Sequence, residues 1–329
     1  MGVVLLNLGG PDSLQAVRPF LYNLFSDREI MRLGPPFLQK PLAYLISILR
    51  SNKTSDMYRQ IGGKSPILDI TKAQAEALEK ALNEGSLSFK VYVGMRYWHP
   101  FIKDTVKKLI DDGVDRLIVL SLYPHYSKAT TGSAVAEFKR AISKSQISNL
   151  QFQIQYLEQW HDFPPYIDTL AELIAEGISE FNAPPHPPLL YSAHSLPQSF
   201  INEGDPYLDH IKSTITAVNS LLVTRYSLPL KWHLSFQSKA GPVKWLEPST
   251  DETIIKLAEE GCKNLFIVPI SFVSDHIETL YEIDILYRGM AEKNGINLKR
   301  CRALNTYENF ILTLKRLVMS KIGLPEPLS

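Results

Sequence analysis

The chain has 329 residues, a formal net charge of +1, 45% apolar and 21% charged residues, and two cysteines, Cys262 and Cys301. This balance excludes the basic surface that a nucleic-acid backbone requires, and it fits a globular chain of one large or two ordinary domains. Two cysteines exclude a disulfide framework and a four-cysteine zinc or iron–sulfur site built by this chain alone, so a reducing compartment is expected.

The N-terminus enters the run Gly2-Val3-Val4-Leu5-Leu6-Asn7 at once, so neither a signal nor a transit peptide is expected. No apolar run reaches the roughly 18 residues of a spanning helix, which leaves a protein that is soluble or lies on a membrane without crossing it. Short apolar runs bounded by turn residues predict strands over 3–7, 89–94, 117–122, 152–156, 189–194, 232–236, 265–270 and 298–303. Helical spacing recurs between them, as in Ile102, Val106, Leu109, Ile110 and in Ile254, Ile255, Leu257, Ala258. Alternating strands and helices predict an α/β fold with parallel sheets covered on both faces.

Segment 34–53 breaks that rhythm. Pro41-Leu42-Ala43-Tyr44-Leu45-Ile46-Ser47-Ile48-Leu49 is a short helix with apolar residues on nearly every side, either a buried core helix or an apolar lip that meets lipid or a greasy ligand. Gly62-Gly63-Lys64-Ser65-Pro66 lacks the first glycine of a phosphate loop and the preceding strand, so it reads as a turn opening the next helix. Leu8-Gly9-Gly10-Pro11 likewise lacks the dinucleotide fingerprint. Arg50, Lys53, Arg96 and Lys239 sit near loop mouths; Arg96, between Met95 and Tyr97-Trp98, has the setting of an anion clamp.

An internal repeat divides the chain. Asp111-Asp112-Gly113-Val114-Asp115-Arg116-Leu117 resembles Glu259-Glu260-Gly261-Cys262-Lys263-Asn264-Leu265, and Val3 to Ser13 lies over Leu189 to Ser199, so that Leu8 matches His194 and Ser127 matches Asp275. Two similar halves are implied, 1–150 and 151–305, with Ala183-Pro184-Pro185-His186-Pro187-Pro188 a rigid loop inside the second. If the halves face each other across a cleft, Leu8 and His194 line opposite walls of it.

His194 ends a predicted strand, where open α/β sheets bind ligands. Its imidazole can take a proton or ligate a divalent metal. Asp275, Glu278 and Glu282 fall at i, i+3 and i+7, one face if the segment coils into a helix, beginning at the carboxyl end of the 265–270 strand. Clustered carboxylates near Phe272, Val273 and Ile277 raise one another's pKa and can hold protons near neutral pH. They suit a transition ion that accepts imidazole and carboxylate. His276 points elsewhere on such a helix.

These motifs resemble the ferrochelatase family, which inserts ferrous iron into a porphyrin. The resemblance rests on Leu5-Leu6-Asn7-Leu8-Gly9-Gly10-Pro11, Tyr58-Arg59-Gln60-Ile61-Gly62-Gly63-Lys64-Ser65-Pro66, Gly94-Met95-Arg96-Tyr97 and Tyr123-Pro124-His125-Tyr126-Ser127 in the first half. In the second it rests on Ser192-Ala193-His194-Ser195-Leu196-Pro197, Phe236-Gln237-Ser238-Lys239-Ala240-Gly241-Pro242, Trp245-Leu246 and Phe272-Val273-Ser274-Asp275-His276-Ile277-Glu278-Thr279-Leu280.

The resemblance implies two flavodoxin-like, chelatase-type domains facing across a porphyrin cleft, with the C-terminal helix 306–329 returning to the first. His194 and Glu278 would be the catalytic and metal-binding pair, and Asp275 and Glu282 a relay for protons or metal. Leu8, Arg50, Lys53, Tyr58, Ser65, Arg96, Tyr97, Tyr123, Trp245 and Phe272 would bind porphyrin, Arg50, Lys53, Tyr58 and Ser65 near its propionates. Segment 34–50 would be the lip that closes on the macrocycle and touches the membrane, on a cytoplasmic protein peripheral to the inner membrane. Leu286 stands where the family's acidic ladder often continues, and Lys128 where some relatives have a cluster cysteine. The expected reaction takes Fe2+ as substrate, with no permanently bound cofactor and no iron–sulfur cluster, and makes protohaem from protoporphyrin IX. Insertion into coproporphyrin and haem delivery without turnover are the alternatives.

Overall fold

The computed structural model describes residues 1–145, 153–181, 186–239, 241 and 243–322. Residues 183–185 of the proline-rich loop and Phe152 of the predicted fourth strand lie outside that range. The described residues form eight strands: β1 (Gly2–Asn7), β2 (Lys90–Met95), β3 (Arg116–Ser121), β4 (Gln153–Leu157), β5 (Leu189–His194), β6 (Trp232–Gln237), β7 (Asn264–Pro269) and β8 (Asn297–Arg300). Each lies on one of the predicted apolar runs.

The chain divides into two compact units, Met1–Gln159 with Asn305–Ser329, and Trp160–Leu304. The division falls at 159/160 rather than near 150. In the first unit the parallel sheet has the order β2-β1-β3-β4. Strand β1, Gly-Val-Val-Leu-Leu-Asn, is buried along its whole length because helices cover both faces. The helix Glu308–Ser320 belongs to this unit, where Lys315 Nζ meets Glu84 Oε2 at 2.9 Å and Gln74 Nε2 donates to the Asn305 carbonyl at 2.8 Å.

The second unit repeats the topology as β6-β5-β7-β8, again all parallel. The register repeats too: Val3 pairs with Ile118, and Leu189 pairs with Phe266, so the sequence overlay of Leu8 on His194 keeps its phase in the sheets. Helix Pro164–Ser179 packs so closely on β7 that a Cβ at Gly177 would collide with the Phe266 ring. Only glycine allows this approach.

In a 2-1-3-4 sheet the chain leaves the central pair of strands in opposite directions, and that switch point opens a crevice at their carboxyl ends. In the second unit the pair is β5 and β7. Strand β5 ends at His194, and β7 runs into the acidic segment 274–282.

Segment 34–53 is not a core helix. Pro36–Leu38 forms a short 3₁₀ turn and Gln39–Gln60 one long helix, ended by Gly63, whose N–H donates to the Tyr58 carbonyl at 2.7 Å with φ +82°. Ala43 and Ser47 face inward, while Phe37 (76% exposed), Tyr44, Leu45, Ile48 and Leu49 (71%) face outward. The buried alternative is therefore excluded. The buried Gln39 amide ties the segment down, donating to the carbonyls of Phe25 (2.7 Å) and Met31 (2.8 Å).

Candidate active site

The backbone at the end of β5 is clamped before any side chain acts. His194 N–H donates to Ser271 Oγ at 2.9 Å, and Tyr207 OH donates to the His194 carbonyl at 3.0 Å while lying 2.6 Å from the same Ser271 Oγ. The ring is thereby aimed, with Phe272 edge-on at 6.1 Å. His194 Nδ1 lies 2.9 Å from Glu278 Oε2. An ionised carboxylate can only accept, so Nδ1 carries a proton, and in the neutral ring it is Nε2 that holds the lone pair. The side chain is 33% exposed and that of Glu278 14%.

Glu278 opens a π-helix, Glu278–Tyr287. Glu282 lies one turn on, and the two carboxylates are bridged by a residue the sequence reading had not singled out. Ser238 Oγ is 2.8 Å from Glu278 Oε2 and 2.5 Å from Glu282 Oε2. Ser238 holds this place with φ +67°, a left-handed conformation unusual for a residue with a side chain. Gln237, the last residue of β6, donates from Nε2 to Glu282 Oε2 at 3.2 Å, and its own Oε1 accepts from Ser192 Oγ at 2.6 Å.

A serine hydroxyl has one proton and cannot donate to two carboxylates at once. A second proton is needed, and the electrostatics place it on Glu282, whose carboxyl is lifted to about 7 by burial and by the charge of Glu278. Burial acts on Glu278 in the same sense, but His194, His276 and Ser238 outweigh it and hold that carboxyl well below its ordinary range. Burial would lower the His194 pKa; the Glu278 carboxylate overcomes it, and the imidazole sits above its ordinary value. A continuous hydrogen-bonded string therefore runs Glu282, Ser238, Glu278, His194. His276 is buried, packed on Phe272 at 4.0 Å with Nε2 3.9 Å from Glu278 Oε1, and burial favours its neutral form.

The three-carboxylate face does not form. Asp275 lies before the helix, not on it, and turns to Arg300, with Nη1 to Oδ1 at 3.0 Å, while Thr279 Oγ1 donates to the same Oδ1 at 2.9 Å. The i, i+3, i+7 spacing assumed α-helical phase from 275 onward, whereas the coil starts at 277–278 and winds as a π-helix. Leu286 is exposed on that helix.

In the first unit, Arg96 is not an open anion clamp. Its Nη2 lies 2.8 Å from Asp27 Oδ2, which also accepts from Tyr97 OH at 2.6 Å and Ser133 Oγ at 2.5 Å. Burial would raise the Asp27 pKa, but Ser133, Tyr97 and Arg96 outweigh it and keep the carboxyl below its ordinary value. The anion that Arg96 meets is thus one of the chain's own, at the C-terminal end of helix Val17–Ser26, distant in sequence and invisible to a local reading. Tyr97, Tyr123, Tyr58, Ser65 and Trp245 are buried; Leu8 is half-buried, and Arg50 and Lys53 are exposed. Ser65 is fixed by its N–H to the Pro11 carbonyl at 2.8 Å, and its side chain fills the space a Cβ on Gly10 would take.

The ferrochelatase family model matches residues 1–322. The chain is 50% identical to a ferrochelatase of Geotalea daltonii over 98% of both chains, and 47% identical to one of Synechocystis over 99% of this chain and 83% of the relative. Among solved structures it is similar in fold to SirB from Bacillus subtilis with Fe3+, at a TM-score of 0.54 and 13% identity over 77% of this chain and 90% of that one. With its sequence matched from end to end, the chain belongs to the ferrochelatase family, lyases that insert iron into a porphyrin.

Proposed function

We propose that the chain inserts Fe2+ into protoporphyrin IX to give protohaem, with His194 as base and Glu278 as its counter-charge and fellow metal ligand. The observation that carries this reading is the His194 ring, part open to solvent, with Nδ1 held 2.9 Å from Glu278 Oε2 and Nε2 outside that contact. Metallation exchanges two pyrrole protons for one Fe2+. Nε2 first holds the iron and, once the iron has passed to the macrocycle, takes one pyrrole proton. The imidazolium is stabilised by Glu278, the Ser238 and Glu282 groups pass the proton outward once Glu282 has released its own to solvent, and the second pyrrole proton then leaves by the same route. Imidazole and carboxylate suit ferrous iron as a passing ligand pair. Iron is substrate here, and no iron–sulfur cluster takes part.

Arg96 is committed to Asp27, which leaves Arg50, Lys53 and Lys239 exposed, fewer cations than four propionates would call for. Anaerobic initial rates with Fe2+ and a panel of protoporphyrin IX and coproporphyrin III are expected to favour protoporphyrin. A higher kcat/KM for coproporphyrin would reverse the substrate, and tight haem binding with no metallation of either would replace the enzyme by a carrier.

We also assign the outward face of 36–49 to a membrane surface. Tyr44, Leu45, Ile48 and Leu49 make one exposed apolar stripe beside Phe37 and Leu38, although among the described residues no helix is long and apolar enough to cross a bilayer. Co-sedimentation with anionic phospholipid vesicles is expected for the unaltered chain and is expected to be lost in a Phe37→Ser/Leu49→Ser variant. Equal partition of the two would remove the assignment.

A further inference from the structure

A π-helix of ten residues is an unusual object, since the wider coil normally survives only as a single turn within an α-helix. Something outside the helix must hold Glu278–Tyr287 in this form. We infer that Arg300 is a positioning residue for the metallation site: its guanidinium fixes where the π-helix starts and how it is phased, and so holds Glu278 against His194. The inference rests on the function proposed above and deepens it.

Arg300 closes β8, where it pairs in the sheet with Ile267 of β7, so its backbone is part of the scaffold and not of the helix. Its side chain is 11% exposed and grips the acidic segment on both sides of Glu278. Nε and Nη2 meet Asp284 Oδ1 and Oδ2, each at 2.9 Å, a two-pronged contact that fixes direction as well as distance. Nη1 reaches Asp275 Oδ1 at 3.0 Å. Thr279 Oγ1 donates to the same Asp275 oxygen at 2.9 Å and accepts from His276 N–H at 3.0 Å, which ties the first contact to the first turn of the helix.

Reversion to α-helical phase would turn Asp284 relative to Glu278 by roughly a quarter to a third of a turn, which the two-pronged contact forbids. Arg288 also touches Asp284, at 3.1 Å, but it lies four residues further along the same chain and is half exposed, so it cannot anchor the helix to the sheet. Among the described residues, the hydrogen bonds and ion pairs of Arg300 and Asp284 do not include His194, Glu278, Ser238 or Glu282, so helix phase is the route by which they act on the site.

The test uses the full chain with Arg300→Met and, as the gentler change, Asp284→Asn, which keeps the Arg300–Asp275 contact. Co2+ alone is titrated by its visible absorption, and Fe2+ and protoporphyrin KM values are measured separately. Both variants are expected to weaken Co2+ binding and raise the KM for Fe2+ by about tenfold or more, the range for residues that orient metal ligands, with porphyrin KM unchanged. Arg300→Lys, able to reach one carboxylate but not to fork, is expected to recover part of the loss. A crystal structure of Asp284→Asn is expected to show Glu278 moved away from His194. Folded variants with the parent Co2+ affinity and Fe2+ KM would overturn the inference, as would an unmoved Glu278; a lowered Tm alone would leave Arg300 a stability residue and also overturn it. If the unaltered chain fails to insert iron yet its Glu278 moves in Asp284→Asn, the proposed function falls and the positioning role stands.

Discussion

Replacing His194 by alanine is expected to slow iron insertion by about 10²–10⁴-fold, the usual contribution of a positioned acid–base group. The expectation follows from one ring doing two jobs. Its Nε2 supplies the lone pair for a pyrrole proton, and its Nδ1–H is the direct partner of Glu278 Oε2 at 2.9 Å. Alanine removes the base and also leaves a carboxylate that is 14% exposed beside a second one, without its main positive neighbour. Glu278 would then drift upward in pKa, as burial requires, and the site would hold metal less well at neutral pH. Saturating porphyrin and Fe2+ under anaerobic conditions give the kcat that checks this, and added imidazole is expected to restore part of it. A variant within a few-fold of the parent would mean that another group takes the proton.

The strands were legible because parallel strands buried on both faces are unbroken apolar runs, and β5 ends on His194 as its pattern indicates. The repeat was legible because both halves keep the same strand order and register. The pairing of His194 with Glu278 came from the family resemblance, and the 2.9 Å contact between the two residues agrees with it.

What sequence hid was phase and distance. A π-helix has no periodic signature that separates it from an α-helix over ten residues, so Asp275 was given a place on a face that does not exist. Arg300 and Asp275 are far apart in sequence, as are Arg96 and Asp27, and an ion pair formed by tertiary folding leaves no local trace. Ser238 escaped for a different reason: its role depends on a positive φ, which sequence suggests for glycine and asparagine rather than serine.

Glu278→Gln is expected to cut metallation by about 10²-fold and to move its acid limb to lower pH. Glutamine keeps an oxygen to accept from Nδ1–H but loses the charge that lifts the imidazole. Burial is then the dominant influence on His194, and its pKa falls from above to below the ordinary 6.5. The ring is neutral over a wider pH range yet is a weaker base, so the rate falls while its pH dependence shifts toward acid. Stability moves in the same sense. In the parent, a raised His194 pKa contributes stability that is complete below the unfolded value and is lost as pH rises through the folded one. In the variant the sign reverses, and lowering the pH through 6.5 costs stability because the unfolded chain binds that proton more readily. Glu282 responds as well. Its raised pKa stabilises the fold below about 4.5 and loses that contribution on the way up to about 7. Without the charge of Glu278 the upper edge of this window retreats, since only burial still holds the carboxyl up. The difference in Tm between parent and variant should therefore widen as pH falls from 8 toward 6, and histidine-selective NMR titration should show the His194 resonance titrating at lower pH in the variant. A His194 midpoint unchanged by the substitution would detach the two residues electrostatically and remove the proton string that starts from them.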